Sequence, residues 1–139
     1  MGLKGFAPQK SKFKAKLVGG KAVTLHLRAF TLADLAWFQA EFPTENDLAK
    51  FSLMQPEPVC KALWQMLEPE SKKFFAGVKF TDADEKTGAE ITIEVDGYKK
   101  LLYSFADEET LLLGMGALAE SRGLNGFIDD LKKKTMIAA

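Results

Sequence analysis

The 139-residue sequence predicts an α+β protein with a single domain, residues 1–139. Two observations support this prediction. Apolar and polar residues alternate near the amino terminus and again near residue 90, which is the two-residue period of a half-buried strand. Elsewhere apolar residues recur every three or four positions, as in helices packed on a core. We therefore expect an amino-terminal β-hairpin, a body of short helices, a second hairpin near residues 90–105, and carboxyl-terminal helices.

The first hairpin is centred on Gly19-Gly20, a pair that suits the positive-φ turn between two antiparallel strands. Its predicted inner face is apolar: Phe13, Ala15, Leu17, Val23, Leu25 and Leu27. Its predicted outer face is basic: Lys12, Lys14, Lys16, His26 and Arg28. Residues 1–11, which precede the hairpin, are expected to form a flexible basic arm.

Three helices are expected between residues 31 and 67. The first begins after the N-cap Thr31 and ends before Pro43, because the residue preceding a proline leaves the helical region. Its predicted buried face contains Leu32, Leu35, Phe38 and Phe42, with Asp34 and Glu41 opposite and Trp37 on the polar side. The second helix, over residues 44–54, is expected to bury Leu48, Phe51 and Leu53. The third starts at Pro56 and is expected to be nearly all buried, with its core stripe at Val59, Ala62, Leu63, Met66 and Leu67.

Residues 78–105 are predicted to form a β insert. A polar loop is expected from Thr81 to Gly88, followed by a strand in which Ile91, Ile93 and Val95 share one face. Asp96-Gly97 is a strong hairpin turn signal, so residues 98–105 are expected to return as a strand, although their Lys-Lys-Leu-Leu run is equally compatible with a helix.

The carboxyl-terminal part is predicted to be helical again. One helix should follow the cap Asp107 and stop at Gly123, and a last one should follow Asn125. Gly114 and Gly116 are costly inside a helix, so they are expected to mark a close helix contact or a break.

Composition and charge limit the class of protein. The chain is 47% hydrophobic and 27% charged, as is usual for a globular domain, and it has one cysteine and no apolar run of membrane-spanning length. No secretion signal is recognised at the start, and a cytoplasmic location is expected. Residues 1–33 hold seven basic and no acidic residues, whereas residues 34–139 hold 12 basic and 19 acidic residues. This split predicts electrostatic contact between the two parts, between subunits, or with a partner.

The sequence offers no catalytic, cofactor-binding or metal-binding constellation, so we expect a protein that is not an enzyme. His26 is the only histidine and is predicted to lie exposed on a strand, while Cys60 is predicted to be a buried, inert thiol. Asp82, Asp84 and Glu85 resemble part of a calcium loop but lack its glycine and its distal glutamate.

Five residues are candidates for binding a partner: Trp37, Lys12, Lys14, Lys16 and Arg28. Tryptophan is enriched at interface hot spots, although packing within the domain explains Trp37 about equally well. The basic side chains favour a protein partner or a guarded sheet face over nucleic acid, because no aromatic residue on that face would stack on bases.

The order of hairpin, joint and helix carries a family resemblance. Leu27-Arg28-Ala29-Phe30 followed by Thr31-Leu32-Ala33-Asp34-Leu35 resembles tail assembly chaperones of long-tailed phages, whose members often have an "L-R-x-x-T-L-x-D-L"-like joint between a short β pair and short helices. The resemblance covers about residues 12–75 and does not extend to the β insert. It implies a non-enzymatic protein of the host cytoplasm that binds the tape-measure protein and keeps its apolar helices soluble until the tail tube grows around them.

The family also commonly makes a second, longer product by ribosomal frameshifting near the end of the first reading frame. Lys132-Lys133-Lys134 lies where adenine-rich lysine codons would permit this. Two other functions stay open on sequence grounds: a structural virion component, such as a head–tail connector or tail protein, and a small nucleic-acid-binding protein that uses the basic hairpin. A homo-oligomer is possible in each case, and no membrane association is expected.

Overall fold

A computed structural model describes residues 8–123 of the chain. The elements follow one another in this order: β1 (Ser11–Lys16), β2 (Ala22–Leu27), α1 (Leu32–Glu41), α2 (Glu45–Ser52), α3 (Pro56–Met66), α4 (Pro69–Lys72), a 3-10 turn (Lys73–Phe75), β3 (Lys79–Ala83), β4 (Glu90–Glu94), α5 (Lys99–Ser104) and α6 (Glu108–Arg122). The α+β class is confirmed, with an antiparallel hairpin first and helices towards the carboxyl end. The helix predicted after Asn125 lies outside the described residues. None of the helices between residues 8 and 123 is long and apolar enough to cross a lipid bilayer.

The first hairpin, β1–β2, has the alternation that its sequence predicts. Buried and exposed residues alternate along both strands, and the pairing places Lys12 opposite His26 and Lys14 opposite Thr24. The buried side of the hairpin packs on α6 and belongs to the same core cluster as the buried residues of α3.

Groups at both edges of this hairpin are hydrogen-bonded to neighbouring helices. On the β1 side, Ser11 Oγ donates to the carbonyl of Ala117 at 2.7 Å, and the amide of Lys16 donates to Thr110 Oγ1 at 3.1 Å. On the β2 side, the amide of His26 donates to Ser71 Oγ at 2.8 Å. Two residues just before and at the start of β1 contact the body: Ser11 is the first residue of β1, and the amide of Gln9 donates to the carbonyl of Ser121 at 3.2 Å.

The buried face predicted for α1 is wrong at two positions. Leu32 is 83% exposed, whereas Asp34 is 1% exposed, the reverse of the expected arrangement. Asp34 is buried because cationic and amide donors surround its carboxylate: both terminal nitrogens of Arg28, at 3.1 and 2.8 Å, and Gln65 Nε2 at 3.1 Å. The hydrogen bonds replace the water that the carboxylate loses.

The expectation for α2 is also largely wrong. Leu48 and Leu53 are 50% and 75% exposed, and only Phe51 is partly buried, against the rings of Phe38 and Phe42. α2 therefore packs on the aromatic cluster through Phe51, while Leu48 in α2 and Leu53 just after it are exposed to solvent.

The second hairpin is present but pairs different residues from those expected. β4 pairs with β3, whose last three residues fall in the predicted loop, and the predicted return strand is the helix α5. Turn chemistry explains the first error: Asp84 Oδ1 accepts from the amides of Lys86 and Thr87, and Gly88 takes a positive φ. Helical packing explains the second, since Leu101 is fully buried and the adjacent Leu102 is partly buried on the same core.

The two glycines of α6 differ in their surroundings, so replacing each with alanine should change stability in a different way. A Cβ at Gly114 would lie 2.8 Å from Leu63 Cδ1, so Gly114 marks the close contact of α6 with α3, whereas a Cβ at Gly116 would meet nothing within 4 Å. We expect Gly116→Ala to raise the free energy of unfolding by up to about 1 kcal/mol through helix propensity. Gly114→Ala should be less stable than Gly116→Ala by about 1–3 kcal/mol, because it overpacks the core. Urea denaturation measures both, and equal effects would contradict the packing described.

Candidate protein-binding groove

The lysines predicted to face solvent do so. Lys12, Lys14 and Lys16, which we call the lysine row, lie exposed on the outer face of β1 and form no ion pair with residues 8–123. Lys14 and Lys16 line a shallow depression with Asp107 and Glu109, so nearby carboxylates offset part of their charge. The surface is therefore a narrow positive stripe and not a broad positive field.

Arg28, unlike the three lysines, is not free to bind a partner. Its guanidinium is held by Asp34 and by the carbonyl of Gln65, which accepts from Nη2 at 2.7 Å. The hydrogen bonds that its guanidinium donates to Asp34 raise the pKa of Arg28, and the Arg28 side chain is 35% exposed. Arg28 joins α1 to α3, and this role explains its place in the Leu27–Phe30 joint without a partner.

Trp37 is half-buried in an aromatic cluster. Its ring makes edge contacts with Phe38, at 5.0 Å between centroids, and with Phe42, at 6.0 Å. Phe30 and Phe51 extend the same cluster through Phe38. Trp37 is thus packed with the apolar set of α1 and not apart from it, and the packing explanation accounts for its position.

A groove that the sequence did not predict lies between β4, α5 and the start of α3. It has a volume of about 600 Å³ and is lined by Glu57, Ile93, Glu94, Val95, Asp96, Tyr98, Lys99, Leu102 and Tyr103. Apolar and aromatic side chains share its walls with charged ones, and Ile93 is 52% exposed within it. Three carboxylates and one ammonium group surround these walls, so the rim of the groove is acidic.

The second hairpin extends the apolar wall of the groove. Ile91, Ile93 and Val95 occupy alternate positions, so they share one face of the chain, and exposure falls from 44% and 52% at the isoleucines to 6% at Val95. An apolar strip therefore runs from the hairpin to the core. All residues of β4 are exposed, and the described side chains of β3 are exposed too. An isolated two-stranded hairpin is only marginally stable in water.

Tyr98 is held in place at the base of the groove. Its hydroxyl donates to Glu57 Oε1 at 3.0 Å, and the ammonium of Lys61 lies 5.3 Å from the centre of its ring. Burial and the neighbouring Glu57 raise the pKa of Tyr98, so it stays a neutral hydrogen-bond donor. Lys61 in turn pairs with Glu41 at 3.0 Å, which links the groove to α1.

The groups considered for catalysis are not brought together. Cys60 is buried, and burial raises its pKa to about 12, which keeps the thiol protonated. Asp84 caps a turn, and His26 lies on the open face of β2. Among residues 8–123, no group of three or more histidine, cysteine or carboxylate side chains is placed to hold a metal ion.

The groove could have been found only in part from the sequence. The alternation of Ile91, Ile93 and Val95 predicts a strand, and residues of this segment form one wall of the groove. The other wall requires residues 98–103 to be helical, whereas the turn signal at Asp96-Gly97 pointed to a strand. No protein-family model matches this chain, and comparisons with curated proteins and with solved structures likewise found no match.

Proposed function

We propose that this protein is a non-enzymatic assembly chaperone or adaptor for the tail of a long-tailed phage, which acts in the host cytoplasm and binds the tape-measure protein. The observation that carries the proposal is the exposed apolar strip Ile91–Ile93, which leads into the groove beside α5. The resemblance of the joint at residues 27–35 supplies the identity of the client.

The groove suits an amphipathic helix. Helix-in-groove binding places apolar side chains at i, i+3, i+4 and i+7 into an apolar channel. Here Ile93, Tyr98 and Leu102 supply such a channel, and the carboxylates at its rim would face polar or basic groups flanking the apolar stripe. A tape-measure protein, with long apolar helices that aggregate when free, presents many such segments.

The experiment compares the soluble yield of the tape-measure protein from the same phage genome, coexpressed with this protein or alone. We expect wild type to raise the soluble yield severalfold and Ile91→Lys/Ile93→Lys to abolish the increase. Two lysines would remove the apolar contact and weaken affinity at least about tenfold. Leu53→Lys is the matched control, because Leu53 is an equally apolar, 75% exposed residue that does not line the groove.

Three results would count against the proposal. One is a tape-measure protein whose solubility is the same with and without wild type. Another is an isoleucine double variant that works as well as Leu53→Lys. The third is recovery of the protein from purified phage particles, which would favour a structural virion component, because a chaperone leaves before the particle matures.

A further inference from the structure

Two surfaces of this molecule have opposite charge and both carry apolar groups. We propose that the groove of one copy takes up the tip and the lysine row of the first hairpin of a second copy, so that the protein self-associates through two unlike surfaces. The inference concerns the groove described above but needs no client, so it can be tested on the protein alone.

The donor surface is the outer face and tip of the first hairpin. Lys12, Lys14 and Lys16 stand at alternate positions, so the lysine row is about 13 Å long at the usual rise of a strand. At the end of the row Val18 is 68% exposed, an apolar side chain at the tip of a hairpin. An aliphatic tip next to ammonium groups is chemically matched to an apolar groove with an acidic rim.

The acceptor surface is the groove. Glu94 and Asp96 lie on its rim and form no ion pair with any residue from 8 to 123. The third carboxylate, Glu57, is already engaged by Tyr98 and by Lys61, at 3.0 and 3.8 Å. Glu94 and Asp96 are therefore the carboxylates available to a docking cation, and the apolar wall between β4 and α5 is available to Val18.

The lysine row cannot enter the groove of its own chain. The amide of Val18 donates to the carbonyl of Ser104 at 2.8 Å, and the amide of Ala106 donates to the carbonyl of Lys16 at 2.9 Å. These bonds hold the hairpin tip at the end of α5, and no residue of the first hairpin lines the groove. The formal net charge of the chain is zero, so two copies meet without overall repulsion.

Analytical ultracentrifugation of the full chain tests the proposal. We expect wild type to self-associate, with a dissociation constant that rises at least about tenfold between about 0.05 M and about 0.5 M NaCl, because salt screens exposed charges. Lys14→Glu/Lys16→Glu and Glu94→Lys/Asp96→Lys should each be monomeric at concentrations where wild type associates. Mixing the two variants should restore association. The lysine variant keeps its acidic groove, and this groove can take up the lysine row that the groove variant keeps. Lys50→Glu/Lys86→Glu is the control, since neither residue lies on the lysine row or lines the groove.

Several outcomes would overturn the proposal. These are a wild-type protein that is monomeric at both salt concentrations, association that neither double variant weakens, and a mixture that stays monomeric. A monomeric wild type that instead binds a basic amphipathic helical peptide would assign the groove to a client alone. Self-association without any effect on tape-measure solubility would leave this inference standing and reject the proposed function.

Discussion

Replacing Asp34 with alanine is expected to lower the free energy of unfolding by about 3 kcal/mol, the largest single-residue effect among the charged groups described here. The Asp34 carboxylate is 1% exposed and accepts hydrogen bonds from Arg28, Gln65 and Thr31. Without it, the guanidinium and the amide of Gln65 lose their acceptor in a partly buried place. This loss of stability lies at the lower end of the range for breaking a buried ion pair, because the Arg28 side chain is 35% exposed and water can solvate its guanidinium again.

The chain contains a matched control for this prediction. Thr44 and Asp47 form the same capping box at the start of α2 as Thr31 and Asp34 form at the start of α1. The Asp47 hydrogen bonds to the N-cap Thr44 are exposed, so Asp47→Ala should cost no more than about 1 kcal/mol, the usual cost of losing a cap. Urea denaturation of the two variants measures the difference, and equal losses would show that the Arg28 and Gln65 contacts add nothing.

The same carboxylate predicts how stability depends on pH. Burial alone would raise the pKa of Asp34, but hydrogen bonds from Arg28, Thr31 and Gln65 outweigh burial and lower it from 3.8 to about 2. A depressed pKa in the folded state means that the stabilisation is fully present above about pH 4 and is lost as the pH falls towards 2. The loss should amount to roughly 2 kcal/mol in wild type, and Asp34→Ala should lack this part of the pH dependence.

Excising the second hairpin should leave the body folded but remove binding of the client. The amide of Val95 donates to the carbonyl of Val78, so these residues are cross-strand neighbours that an Asn-Gly turn can join in place of residues 79–94. Because every residue of β4 and the described side chains of β3 are exposed, we expect the free energy of unfolding to change by less than about 1 kcal/mol. Loss of the cooperative unfolding transition would instead show that the hairpin belongs to the core.

The first hairpin could be predicted from the sequence because the two patterns that determine it lie within the hairpin itself. Alternation sets which residues of β1 and β2 are buried, and Gly19-Gly20 sets the turn. The same holds for α3, where the helical spacing of apolar residues predicts the buried set.

The errors arise where contacts distant in sequence decide burial. Asp34 is buried because Gln65, 31 residues later, completes its hydrogen bonds, and no periodicity within α1 contains that information. Leu32 is exposed as a consequence, because α1 turns the Asp34 side chain towards the core and Leu32 towards solvent. The groove was missed for a related reason: Tyr98 and Leu102 line it only because α5 is a helix, and the Asp96-Gly97 signal favours a strand.

A direct affinity measurement tests whether a client helix binds in the groove beside the second hairpin. A labelled apolar helical segment of the tape-measure protein would be titrated with the full chain and with the chain lacking residues 79–94, with fluorescence anisotropy as the readout. The full chain should bind, and the excised chain should bind at least about tenfold more weakly because it lacks Ile91 and Ile93. Equal affinity for a folded, excised chain would contradict the assignment of the groove.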